Sequence, residues 1–249
     1  MGTPDWVFRA LGVLLFTFLI GIEVRDFLKL LEETPGGFTE AFLRSGVYWD
    51  FGKGKPTLYV PWGRLLYILT YVLIALSFVI RMAPLKRAAR ALEIVIPIIG
   101  AFWPFIPFVV KGVLQMTESP YYDVLKAQLF DLGLGFPRFL IGTGLIVAGN
   151  LLDVWGYAVL CRSLSIVAEA RELKVTGPYR FVRHPVYLGQ ILAQAGVWLC
   201  FAAVNPVWWV FYACFVGFQL YRSRVEDEVL ENAFGEPYRE WKRRTFWFF

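Results

Sequence analysis

The stretch "FLIGTGLIVAGNLLDVWGYAVL", residues 139–160, decides the fold class. It carries a single charged residue, Asp153. About 20 predominantly apolar residues suffice to carry a helix across a bilayer. The stretch therefore reads as a membrane-spanning helix, with bounds near 137–160. Working outward, similar segments lie near 6–22, 60–80 and 92–113 before it, and near 186–204 and 207–221 after it. The segment at 6–22 lacks a basic leader and a small-residue cleavage site, so it reads as a span and not a signal peptide. Pro97, Pro104 and Pro107 predict a kinked or broken third span. Asn205-Pro206 is a turn signal between the last two, which predicts a tight helical hairpin. The expected fold is an all-α integral membrane protein of about six transmembrane helices, with a cytosolic amphipathic C-terminal tail. Residues 1–136 form an N-terminal membrane part, and 137–249 a core that carries the motifs.

Composition agrees. The chain is 57% hydrophobic and only 18% charged, where soluble domains are about a quarter charged. The net charge of +5 comes from basic residues clustered beside apolar segments. Such clusters read as topology signals. No extended polar basic face exists to follow phosphates, which argues against nucleic acid as a partner. Cys161, Cys200 and Cys214 are odd in number and far apart, with no CxxC, so neither a disulfide framework nor a thiolate metal site is expected. His184 is the only histidine, which argues against a bound metal.

Basic residues crowd "RMAPLKRAAR" (81–90), the segment 162–183 and the tail from Arg222. With six crossings, the positive-inside rule places all three segments and both termini in the cytosol. The loop 23–59 dissents, being long and mixed in charge.

Within the spans, Gly142, Gly149 and Gly156 recur every seven residues, with Asn150, Asp153 and Tyr157 on or beside their face. This face has two readings. It is a glycine groove for close helix packing, with Asn150 and Asp153 as interhelical glue, or it lines a site. Tyr187, Gln190 and Gln194 form a second stripe, and Gln219, Arg222 and Glu226 a third. Direction of travel brings the three to one depth on the cytosolic side. That convergence suggests a pocket between helices. Its carboxylates and aromatic rings suit a cation, and its arginines suit a carboxylate or phosphate.

The stretch "VTGPYRFVRHPVYLG" (175–189), followed by "RSRVEDEVLENAFGEPYREW" (222–241), resembles the isoprenylcysteine carboxyl methyltransferase family, which shares its motif with phospholipid N-methyltransferases. Gly177, Tyr179, the RHPxYxG run, Arg222, Glu226, Leu230, Phe234, Gly235 and Tyr238 fall in the family's register. Asp227 stands where the family has a second glutamate, and "RELKVT" (171–176) lacks a histidine frequent there.

The resemblance implies S-adenosylmethionine as methyl donor. It implies a cofactor site built by Leu173, Lys174, Tyr179, His184, Pro185, Val186, Tyr187, Glu226 and Asp227. It implies Arg222 and Glu226 as catalytic residues, with Arg222 toward the acceptor; the convergent stripes add Gln190 and Asp153 on the acceptor side. The expected activity is methylation of a lipophilic or membrane-associated acceptor from the cytosolic side of the bilayer, with a carboxylate favoured because no committed general base is evident. The membrane would be the plasma or inner membrane of a prokaryote, or the endoplasmic reticulum of a eukaryote. Phospholipid N-methylation is the alternative chemistry, and a non-catalytic membrane scaffold or permease the alternative class. "PYREWKRR" (237–244) reads as a solvated or headgroup-facing tail.

Overall fold

The structure is a computed structural model; it describes residues 5–32, 36–38, 48–50, 55–57, 61–88, 90–130, 135–165, 167–201 and 206–247. The described residues are mostly helical: α1 (Asp5–Glu32), α2 (Pro61–Ile80), α3 (Ala91–Phe102), α4 (Ile106–Met116), α5 (Tyr121–Phe130), α6 (Phe136–Leu160), α7 (Pro185–Phe201), α8 (Pro206–Phe234) and α9 (Glu236–Arg244). Two short antiparallel ladders interrupt the all-helical expectation. They pair β1 (Tyr48–Asp50) with β2 (Lys55–Thr57), and β3 (Lys86–Arg87) with β4 (Glu169–Ala170).

Among the described residues, every predicted span is helical, the third with a 3₁₀ turn at Trp103–Phe105. Two helices outrun the prediction: α1 continues from residue 22 to Glu32, and α8 from residue 221 to Phe234. Among the described residues, one helix is long and apolar enough by itself to cross a membrane, namely Phe136–Ser163. The third predicted span is bent by 57° between Ala91–Phe105 and Val109–Met116. Pro104 lies in the 3₁₀ turn Trp103–Phe105 and Pro107 in the first turn of α4. A proline there has no N–H to continue the helical ladder, which locates the break. Asn205 and about half of the mixed-charge loop 23–59 lie outside the described residues.

The seven-residue glycine repeat is a packing surface. A Cβ on Gly149 would lie 2.4 Å from the Gly189 carbonyl oxygen, and one on Gly196 the same distance from that of Gly142. Gly156 abuts Val186. The two backbones, α6 and α7, thus run antiparallel in direct contact, as small-residue interfaces allow. Asn150 bonds within its own helix, donating to the Ile146 carbonyl at 2.8 Å. Helix α8 lies along α7. Trp198 stacks on Trp208 at 5.2 Å, and the Tyr212 hydroxyl donates to the Ile191 carbonyl at 3.1 Å. Helix α3 meets α8 where Gly100 admits Phe218.

One end of this bundle collects the basic segments. Arg9 at the start of α1 donates to the Arg81 carbonyl at 2.8 Å. The Met82 N–H donates to the Arg162 carbonyl at 2.9 Å. Arg87 pairs with the buried Glu169 across the β3–β4 ladder, and Arg171 pairs with it from two residues along the same segment. Ala88, Ala168 and Ala170 pack on Val225 and Val229 of α8. Gly235, at φ +62°, ends α8. That left-handed conformation is nearly free for glycine and turns the chain into α9.

Candidate active site

The site grows from the start of α7. The His184 carbonyl accepts the first helical bond, from Leu188 N–H at 3.0 Å. Its imidazole is buried and turns toward α8, where Nε2 lies 2.7 Å from Asp227 Oδ1. Asp227 Oδ2 accepts from Arg183 Nη1–H at 2.7 Å, and Oδ1 also accepts the Tyr238 hydroxyl hydrogen. Burial pushes the Asp227 carboxyl up. The bonds from His184 and Tyr238 and the charge of Arg183 outweigh that, and hold it below its usual range. Burial and the neighbouring Asp227 charge push the Tyr238 phenol up. The resulting Arg183–Asp227–Tyr238 knot pins α9 to α8. Tyr238 has 0% exposure, so "PYREWKRR" is not a wholly solvated tail. Its arginines face out, while Tyr238 points in and Trp241 donates to the Tyr179 carbonyl at 2.8 Å.

A second layer faces open space. The Tyr187 hydroxyl donates to Glu226 Oε2 at 2.7 Å. His184 stacks on the Tyr187 ring with centroids 5.4 Å apart, and its Nδ1 lies 3.8 Å from Glu226 Oε2. Arg222 Cζ lies 4.8 Å from the Tyr187 centroid. Arg222 Nη1–H donates to Gln219 Oε1 at 2.9 Å, the Gln219 amide donates to Gln190, and Gln190 Nε2–H donates to the Tyr157 hydroxyl at 2.9 Å. This relay links the Arg222 guanidinium to α6 through buried side chains.

Around these groups lie two cavities and a recess. A polar cleft of about 530 Å³ is lined by Tyr157, Tyr179, His184, Val186, Tyr187, Arg222 and Glu226, and by residues of the 163–169 segment. A recess of about 390 Å³ adjoins it past Glu169, Tyr179 and Glu226, and holds Leu173 and Lys174. A larger cavity of about 1070 Å³ has mostly apolar walls from α1, α2, the α3–α4 bend, α6, α7 and α8. Tyr157, Leu164, Ser165 and Arg222 belong to both the cleft and this cavity.

Of the residues expected in the site, Tyr179, His184, Val186, Tyr187, Arg222 and Glu226 meet in the cleft. Asp153 and Gln190 line the apolar cavity with Arg222. Pro185 and Asp227 are buried and line none of these spaces. Asp227 follows Glu226 by one residue. Consecutive helical positions do not share a face, so Glu226 turns to the cleft and Asp227 to the knot behind it. Sequence reading missed Ser163, Leu164, Ser165, Val167 and Glu169, because this loop carries no periodic signal. It also missed Thr70, Tyr71 and Phe102, which wall the apolar cavity.

Residues 137–237 match the phospholipid methyltransferase family. The chain is 28% identical over 170 residues to methanethiol S-methyltransferase 1 of Bradyrhizobium diazoefficiens, covering 65% of this chain and 53% of that protein. It is 36% identical over 82 residues to human protein-S-isoprenylcysteine O-methyltransferase, covering 31% of this chain and 27% of the human protein. The mouse protein of that name is 34% identical over the same length. The chain thus spans about half the length of the first relative and about a quarter of the mammalian ones. The matched residues, 137–237, hold every cleft-lining side chain named above, so the part of this chain that is similar to the phospholipid methyltransferase family is the part that builds the cleft.

Proposed function

We propose that this chain is an integral-membrane methyltransferase that uses S-adenosylmethionine to methylate a lipophilic, anionic acceptor. The observation that carries this reading is the shared wall: the polar cleft and the apolar cavity meet at Arg222 and Tyr157. A donor with mixed charge and an acceptor with an apolar body need such adjacent but chemically different spaces.

The cleft fits the donor in chemistry. Glu226 offers a carboxylate for an ammonium, and Tyr179 and Tyr187 offer ring faces. When bound, S-adenosylmethionine supplies a methyl group activated on a sulfonium. The chain's own work is alignment. Tyr187 holds Glu226 in one rotamer through its hydroxyl, and the stack of His184 on Tyr187 fixes both rings. Gln219 and Tyr187 hold Arg222 at the junction, where its guanidinium orients an anionic acceptor without taking up a proton. Positioning of this kind is worth up to about 7–11 kcal/mol in model systems.

Two observations favour the acceptor class. Arg222 makes no ion pair with Glu226 among the described residues, which leaves its charge for an incoming anion. The apolar cavity draws its walls from six helical segments and is mostly apolar, which suits an acceptor with an extended apolar body. Residues 1–136 then supply part of the acceptor wall, and residues 137–249 the rest of it and the donor cleft. Six crossings, with α7 and α8 as a tight hairpin and the basic end in the cytosol, are consistent with the coincidence of predicted spans and helices and with the gathering of basic segments at one end.

Product analysis tests this. Membranes containing the chain, given donor labelled in its methyl group, are expected to yield an organic-soluble product. Release of the label by mild alkali would mark a methyl ester. Label confined to phospholipid head groups would replace the acceptor class with an amine.

A further inference from the structure

Residues beyond the family match reach back to the cleft. The Phe246 N–H donates to the Phe181 carbonyl at 2.9 Å, and the Arg183 N–H donates to the Phe246 carbonyl at 3.0 Å. This pairing sets Trp247 beside the only imidazole in the chain. The Trp247 ring meets His184 edge-on, with centroids 5.1 Å apart and planes at 61°. Its Nε1–H donates to Ser223 Oγ at 2.9 Å, and Ser223 is fully buried on α8. Trp247 is buried, yet it lines neither the cleft nor the recess.

The His184 ring is therefore held by three contacts: Tyr187 stacked, Trp247 edge-on, and Asp227 at Nε2. Asp227 is occupied as an acceptor by Arg183 and Tyr238 as well. An ionised carboxylate so placed accepts from Nε2, which must then carry a hydrogen. The other ring nitrogen, Nδ1, lies on the Glu226 side. A neutral ring in this tautomer presents Nδ1 as an acceptor there.

We propose that Trp247 is a positioning residue, which locks His184 in the Nε2–H tautomer and so makes Nδ1 a hydrogen-bond acceptor for an amino or hydroxyl hydrogen of the methyl donor. The claim that this ligand is the donor rests on the function proposed above; the orientation of the ring by Trp247 does not. Residues 245–247 thereby become part of the site without touching its contents.

Because the chain has one histidine, labelling with ¹⁵N-histidine gives a single imidazole signature for the full protein in detergent. The probe for the cleft is S-adenosylhomocysteine, titrated by calorimetry. Wild-type protein is expected to show the Nε2–H tautomer. Trp247→Ala is expected to give mixed tautomers and at least about fivefold weaker binding. Trp247→Phe restores a ring edge without the indole N–H, and is expected to bind within about twofold of wild type with the native tautomer. An unaltered imidazole signature and unaltered affinity in Trp247→Ala would overturn the proposal. So would a Phe variant as damaged as the Ala variant, because packing bulk or the Ser223 bond would then be the cause. If the Ala variant does not fold, Trp247→Leu carries the same test, and native tautomer and affinity in it would overturn the proposal equally. Wild-type protein with a locked tautomer that Trp247→Ala releases, but with no affinity for S-adenosylhomocysteine, supports the positioning role and overturns the donor assignment.

Discussion

Arg222 and Tyr187 meet cation over ring, with Cζ 4.8 Å from the ring centroid, and this contact stands where an ordinary helix would have an ion pair. Glu226 lies one turn beyond Arg222 on α8, the usual i, i+4 spacing for a surface salt bridge. Glu226 instead accepts from the Tyr187 hydroxyl at 2.7 Å. Tyr187 thus separates a positive and a negative group that share one helix face, and each is left facing ligand space.

Arg222→Lys keeps the charge and removes the planar fork. Donor binding and thermal stability in detergent are expected to stay near wild type. Methyl transfer is expected to fall at least about tenfold, or about 1.4 kcal/mol in the barrier. Unchanged turnover would show that charge alone suffices. A collapsed melting temperature would make Arg222 structural.

Tyr187→Phe keeps the ring under Arg222 and stacked on His184 but removes the hydrogen bond to Glu226. A hydrogen bond to a charged group is worth about 1.5–3 kcal/mol, so S-adenosylhomocysteine affinity is expected to fall about tenfold or more. Glu226→Ala is expected to fall at least as far. The double variant is expected to be no worse than Glu226→Ala, because the phenol acts through the carboxylate. Additive losses by calorimetry would separate the two.

Asp227 is predicted to matter for stability through the knot behind the cleft. Asp227→Ala removes the buried carboxylate on which Arg183, His184 and Tyr238 converge and is expected to cost about 3–5 kcal/mol. The sign of the pH dependence follows from the lowered folded-state pKa. The unfolded chain, with an aspartate near about 3.9, takes up a proton before the folded one does. The contribution is fully present above that value and is lost as pH falls through the lower folded one. Melting curves are therefore expected to lose this stabilisation below about pH 4, and Asp227→Asn is expected to lack that step. A wild-type curve with no acid limb would contradict the assignment.

The α6–α7 contact separates glycines that are needed from glycines that are not. Gly149→Ala forces a methyl against the α7 backbone at 2.4–2.5 Å. Overpacking of this kind costs about 1–3 kcal/mol. Gly144 and Gly217 have nothing within 4 Å of an added Cβ. Alanine there is expected to be neutral, or stabilising by about 0.4–1 kcal/mol through the unfolded chain. Equal melting temperatures for Gly149→Ala and Gly144→Ala would contradict the packing.

Much of the cleft was legible because its residues lie in one short motif and one helical stripe: Tyr179, His184 and Tyr187 on one side, Arg222 and Glu226 on the other. Asp227 was placed among the cofactor ligands although its step of one residue from Glu226 turns it away, a signal the helix period already contained. Tyr238 looked like part of a charged tail, because its partner Asp227 is eleven residues upstream and across a glycine turn. The residues of α1 to α4 that wall the apolar cavity were not legible. Helices that are apolar all round carry no stripe to say which neighbour they face.

A donor cleft and an acceptor cavity that meet at Arg222 must pass a methyl group from one to the other. Purified chain in lipid nanodiscs is given methyl-labelled S-adenosylmethionine together with an organic extract of host membranes, and label in the organic phase is counted against Glu226→Ala and Arg222→Lys. Labelled lipophilic product is expected from the wild type and little from either variant, with donor binding retained in Arg222→Lys but not in Glu226→Ala. Donor binding by the wild type with no transferred label, or equal label from all three proteins, would contradict this transfer.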